Sequence, residues 1–130
     1  MQYAEEGAHW TSLVALRSAQ VAALEEVRSG PATPWVLAGD FNTDPQLNAD
    51  FDESASKVLE HVGEGRPFHF ISDAAADSPK SYAGLFNIDH VVSDTFQGSC
   101  WVGGLTEGHP AVSEILYFDH KPVVCELDAL

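Results

Sequence analysis

Basic residues are scarce in this chain. Only six, Arg17, Arg28, Lys57, Arg66, Lys80 and Lys121, stand against 20 acids, for a net charge of −14. They are scattered, so no basic stripe exists to neutralise a nucleic-acid backbone, and strong intrinsic nucleic-acid binding is not expected. A polyanionic substrate remains open, because a divalent cation inverts the local field at an acidic site. Cysteine is also sparse. Cys100 and Cys125 are far apart and lack metal-ligand spacing, and Cys125 sits in Val-Val-Cys-Glu-Leu as a small hydrophobe would. A disulfide between them is open. No stretch approaches the roughly 20 apolar residues of a membrane span. The opening Met-Gln-Tyr-Ala-Glu-Glu lacks the regions of a signal peptide, which leaves a cytoplasmic location as the default. Repeats, linkers and low-complexity tracts are missing, so residues 1–130 read as a single unit.

What is present is an ordinary globular composition, 45% hydrophobic over 130 residues, enough to bury about 65% of the surface the unfolded chain exposes. Trp10 to Val27 reads as a helix, with Thr11 or Ser12 as N-cap and Gly30-Pro31 as the stop. Leu13, Arg17, Gln20, Leu24 and Val27 fall on one stripe, so Arg17 and Gln20 require partners on an otherwise apolar face. A second helix is expected from about Asp52 to Val62, with Phe51, Val58, Leu59 and Val62 on its apolar side and Gly63 and Gly65 after it. Phe68, Phe70 and Ile71 suggest a short strand, and 73–79 a loop. Ile88 to Val92 and Phe96 to Val102 read as adjacent strands joined at Ser93-Asp94. A glycine-rich loop from Gly103-Gly104 to Pro110 comes next, and a strand from Val123 to Leu127 closes the chain.

Three segments carry chemistry. Residues 35–42, Trp-Val-Leu-Ala-Gly-Asp-Phe-Asn, read as a short buried strand ending in an acid and an amide. In extended chain, residues two apart project to one face, so Asp40 and Asn42 can aim at a common point while Phe41 turns to the core. Gly, Asp and Asn are also ordinary turn residues. Residues 87–94, Asn-Ile-Asp-His-Val-Val-Ser-Asp, and 119–127, Asp-His-Lys-Pro-Val-Val-Cys-Glu-Leu, each set an acid beside a histidine at the margin of a β-branched run. Asp89, inside an apolar strand, is costly unless paired. His90 points to the opposite face, as a satisfied or exposed side chain. His9, His61, His69 and His109 lie outside any motif and read as surface residues. The three tryptophans read as packing.

In this order, from Arg17 to Leu127, the segments resemble the endonuclease/exonuclease/phosphatase superfamily, the deoxyribonuclease-I-like fold. Its members carry Gly-Asp-Phe/Leu-Asn, then Ile-Asp-Tyr/His-hydrophobic, then a near-terminal Ser-Asp-His-x-Pro-Val. Phe118 stands where the family usually has a supporting serine, so a weaker site is expected. Arg17-Ser-Ala-Gln20 matches a family Arg-x-x-Gln pair, read as a bridge from helix to sheet. The resemblance implies an α/β (α+β) fold and a phosphoesterase of unspecified substrate. Asp40 would orient or deprotonate the attacking water, Asn42 would hydrogen-bond the scissile phosphate, and His120 would stabilise or protonate phosphoryl oxygens. Asp89 would fix the His120 tautomer. Asp40, Asn42 and Asp119 would hold Mg²⁺ or Mn²⁺, the ions that oxygen-rich ligation suits. Thr43-Asp44 replaces the Tyr-Arg that continues Gly-Asp-x-Asn in inositol-polyphosphate phosphatases, which disfavours that substrate.

The family's early asparagine, its metal-binding glutamate in a Gln-Glu segment and its Thr-His strand end have no counterpart here, and Met1-Gln2-Tyr3-Ala4-Glu5 resembles the stretch just after that Thr-His. The expectation is therefore the C-terminal half of a four-layer α/β/β/α sandwich: a mixed, mostly antiparallel sheet with two helices on one face. Such a half is expected to be weakly active or inactive. Its uncovered apolar sheet face offers the alternative of a non-catalytic module that pairs with itself or with a complementing N-terminal half.

Overall fold

Val91 and Val92 lie at the centre of the fold because the strand that holds them is paired on both edges. The computed structural model describes residues 19–20, 23, 33–48, 50, 52–111 and 119–129. Its element order is β1 (Val36–Asp40), α1 (Pro45–Asn48), α2 (Glu53–His61), β2 (His69–Phe70), β3 (Asp89–Ser93), β4 (Gly98–Val102) and β5 (Val123–Leu127). Strands β1, β3 and β2 form one antiparallel sheet in that spatial order, with Leu37 and Phe70 both opposite Val92. Side chains alternate across a sheet, so Leu37, Val92 and Phe70 share one face, while Ala38, Val91, Asp40 and Asp89 share the other.

The first face is the core. Helix α2 starts where the Asp52 carboxylate accepts the Ser54 N–H at 2.8 Å, and it ends as Val62 turns extended. Its Val58, with Val62, Phe68 and Val92, forms a buried cluster flanked by Trp35, Leu37, Phe41 and Phe70. Burying each large apolar side chain contributes about 1.5–3 kcal/mol. The segment after the helix loops back as Phe68 donates its N–H to the His61 carbonyl and Gly63 donates to that of Phe68.

Strands β4 and β5 form a separate two-stranded antiparallel sheet. Cys100 lies directly opposite Cys125, and the two are joined as a disulfide, which their spacing in sequence left open. The strands also approach closely at Gly98, where a Cβ would collide with the Glu126 carbonyl oxygen, so only glycine fits.

Several expectations need correction. The strands around Val91 and Trp101 are not neighbours in one sheet, because β1 and β2 already occupy both edges of β3. The chain is turned away immediately after it: the Ser93 hydroxyl accepts the N–H groups of Thr95 and Phe96, and the Asp94 carboxylate accepts that of Trp35. Strand β1 is not buried. Only Leu37 is half-covered, and among the described residues β1 is paired along one edge only. Of the first expected helix, Ala19, Gln20 and Ala23 are helical, and Gln20 is exposed rather than buried on an apolar stripe. Arg17, Phe51 and Phe118 lie outside the described residues. The helix read at Asp52 to Val62 and the strand read at Val123 to Leu127 match α2 and β5. The class is α+β: antiparallel sheets with, among the fully described elements, the two helices α1 and α2. No described helix is long and apolar enough to cross a membrane.

Phe68 is 1% exposed at the centre of this core. Its replacement by alanine is expected to cost about 3–5 kcal/mol, read from the urea midpoint. Thiol titration in denaturant without reductant is expected to find no free sulfhydryl; a titratable pair would show β4 and β5 unbridged.

Candidate functional site

The ladder that builds the sheet also builds the site. At its end Asp40 is registered directly opposite Asp89, on the face away from the core. One more backbone bond, from the Phe41 N–H to the Ile88 carbonyl at 2.8 Å, extends the pairing. Phe41 then turns to the core and packs edge-on against His90. Asn42 adopts a left-handed backbone, φ 53°, which asparagine tolerates better than most side chains. The chain is therefore no longer extended at Asn42, and the geometry that would put Asp40 and Asn42 on one strand face does not apply. Their link is different: Asp40 Oδ1 accepts the Asn42 N–H at 2.7 Å. Asp40 Oδ2 faces His120 Nε2 at 3.9 Å.

His120 arrives from a different part of the chain and is held by the 81–83 segment. Buried Ser81 ties the two halves of the site together. Its Oγ accepts the Ile88 and Asp89 N–H groups at 3.3 Å each, and its carbonyl accepts the Lys121 N–H at 2.6 Å. Ala83 donates its N–H to the Asp119 carbonyl at 2.9 Å. The Tyr82 ring lies 4.9 Å from the imidazole of His120. Behind it Pro122 packs on Gly103, where a Cβ would come within 2.9 Å of the proline ring.

The result is a convergence of groups remote in sequence. His120 Nδ1 meets the Asp89 carboxylate at 2.9 and 3.1 Å, leaving Nε2 toward Asp40 and, at 4.0 Å, Asp119 Oδ1. Asp40, Asp89 and His120 each offer one ligand atom, all within 4.8 Å of one another. The hydrogen bond that His120 donates to the Asp89 carboxylate is the main cause that raises the His120 pKa; partial burial opposes it, and the charges of Asp89, Asp40 and Asp119 add to it. Imidazolium is thus favoured in the fold. The stabilisation is complete below the unfolded histidine value of about 6.5 and is lost as pH rises through the raised native value.

Of the sequence-derived residues, Asp40, Asp89, Asp119 and His120 are drawn together. Asn42 adjoins them through its backbone, and Asp119 is the most exposed, at 68% of its side chain. His90 is on the opposite face, as expected, and fully buried: Nε2 contacts the Thr43 carbonyl at 3.0 Å, while Phe41 and Phe70 flank the ring edge-on. Burial lowers its pKa, against the backbone carbonyl of Thr43 and the charges of Asp44 and Asp89, so the buried ring is held neutral. His69 and His109 are not free surface groups. His69 Nε2 contacts the Phe96 carbonyl at 2.6 Å, and His109 stacks on Trp101 at 4.4 Å. Sequence reasoning missed Ser81 and Tyr82. Their only signal was a Ser-Tyr pair shortly before Asn-Ile-Asp-His.

The fold and site define an α+β protein with two opposed carboxylates and an acid-paired histidine at a strand end. Comparison with family models, curated proteins and solved structures found no match to the chain.

Replacing Asp89 by asparagine removes the principal cause of the His120 shift. NMR titration of the imidazole is expected to show its pKa falling back toward the ordinary histidine range. The stability lost relative to the native chain should be larger at pH 6 than above the native His120 pKa.

Proposed function

We propose that the chain is a divalent-metal-dependent phosphoesterase unit, hydrolysing phosphodiesters or phosphomonoesters by in-line attack of water. The observation that carries this is the convergence of Asp40, Asp89 and His120 from three separate segments. The donor set suits a hard cation: the carboxylates of Asp40 and Asp119, which flank His120 Nε2 at 3.9 and 4.0 Å, would hold Mg²⁺ or Mn²⁺, with the Asn42 side chain outside the set because its backbone has left the extended strand. Bound there, the metal would supply Lewis acidity toward a phosphoryl oxygen. Asp40 orients the water and takes its proton as the oxygen attacks phosphorus. The ester P–O bond breaks on the far side, and His120, protonated and held in one tautomer by Asp89, donates to the phosphoryl or departing oxygen. Because the Asp89 contact occupies Nδ1, the catalytic nitrogen is Nε2, the one that faces Asp40.

In this reading the fold is one half of a four-layer α/β/β/α sandwich. The family's principal metal-binding glutamate has no counterpart in the chain, so turnover is slow. A second reading, a non-catalytic module that pairs with itself or with a complementing N-terminal half, draws support from β1. Val36 and Ala38 are exposed on the same face as Asp40, and among the described residues β1 has a ladder partner on one edge only.

Hydrolysis of a generic phosphodiester with Mg²⁺ is expected to fall about 10²–10⁴-fold in Asp40→Ala and in His120→Ala. Full activity in either variant refutes the hydrolytic reading. For the pairing module, size-exclusion mass is expected to fall on dilution, and a monomer at every concentration refutes it.

A further inference from the structure

Just behind the site lies a buried ionic anchor that neither strand pairing nor the site chemistry requires. Asp44 is fully buried, and its carboxylate spans three neighbours. Oδ2 accepts the Asn87 N–H at 2.8 Å and lies 3.7 Å from Lys80 Nζ, while Oδ1 accepts the Leu47 N–H at 3.3 Å. Lys80 Nζ is itself buried and makes no hydrogen bond, so the attraction to Asp44 is what compensates its charge. One residue earlier, the Thr43 carbonyl is held by His90 Nε2 at 3.0 Å. Both contacts join the turn after β1 to residues 87–90, the stretch that carries Asp89.

Taking two charges out of water is expensive, and apolar residues of similar volume would hold a core at least as well. What the anchor adds is direction. Residues 43 and 44 directly follow Asn42, whose backbone is left-handed and whose N–H is donated to Asp40 Oδ1. That bond leaves Oδ2 as the oxygen facing His120. We propose that Asp44 is a positioning residue that acts through the Asn42 backbone to set the rotamer of the Asp40 carboxylate. The inference rests on the phosphoesterase reading for its consequence in catalysis, but the positioning itself is observable without turnover.

The test is amide hydrogen exchange by NMR on the full chain. In Asp44→Ala, the Asn42 amide is expected to lose at least tenfold in protection, while the amides of Val58, Val91 and Val92 keep theirs. Should Asp44→Ala fail to fold because Lys80 is left unpaired, the doubly neutral Asp44→Asn/Lys80→Met variant replaces it. There the side-chain amide oxygen still accepts the Asn87 N–H, and native protection at Asn42 is expected. Unchanged Asn42 protection in a folded Asp44→Ala overturns the proposal, as does loss of Asn42 protection in the folded double variant. With Mg²⁺ and a phosphodiester, Asp44→Ala should lower kcat at least tenfold with KM within twofold. A native chain that hydrolyses nothing refutes the phosphoesterase reading alone, and the exchange data still decide the role of Asp44.

Discussion

Two carboxylates stand opposite each other at the end of the β1–β3 ladder, and the surrounding structure is organised by their repulsion. Like charges directly across a strand pair are unfavourable. Here the register that places Asp40 against Asp89 is fixed by the apolar face behind them, since a slip of one residue would turn Leu37 and Val92 out of the core. The acids therefore cannot separate without unpacking the sheet. The arm leading into β5 brings His120 to them, and the bond to Asp89 favours the protonated form of its ring. The raised imidazole pKa expresses the field of these acids.

The segments that were legible in the sequence are those where local chemistry and tertiary demand agree. The helix read from about Asp52 to Val62 forms as α2, with Asp52 as its cap rather than its first turn, and Val123–Leu127 forms a strand because β-branched residues come directly after Lys-Pro. Asp89 was visible as an acid that is costly inside an apolar strand unless paired, and its meeting with His120 at 2.9 Å offsets that cost. Sheet membership was not legible. Residues 88–92 and 96–102 are equally strand-like, and nothing local says that β1 and β2 fill both edges of β3. Asn42 departs from expectation for a related reason: a two-residue period holds only while the backbone stays extended, and Asn42 is the residue at which it stops.

Ser81 and Asp44 show the other limit. Both look like loop residues in sequence, in Lys-Ser-Tyr and Thr-Asp-Pro, and both are fully buried. Their work is to satisfy backbone N–H groups at the places where ladders end, at Ile88 and Asp89 for one and at Asn87 for the other. Such groups must find partners when removed from water, but which side chain supplies them depends on folding back across 43 positions in the case of Asp44 and Asn87.

The disulfide between Cys100 and Cys125 encloses a stretch of chain with a sequence separation of 25. Asp119 and His120 are inside that ring, together with the exposed turn at Glu107 and Gly108. A protease that cuts the turn would open the ring without releasing either piece. The segment bearing His120 would stay tethered through Cys125 to the strand that remains attached to β3. The covalent link thus makes the histidine's attachment to its acids independent of the continuity of the loop beside it.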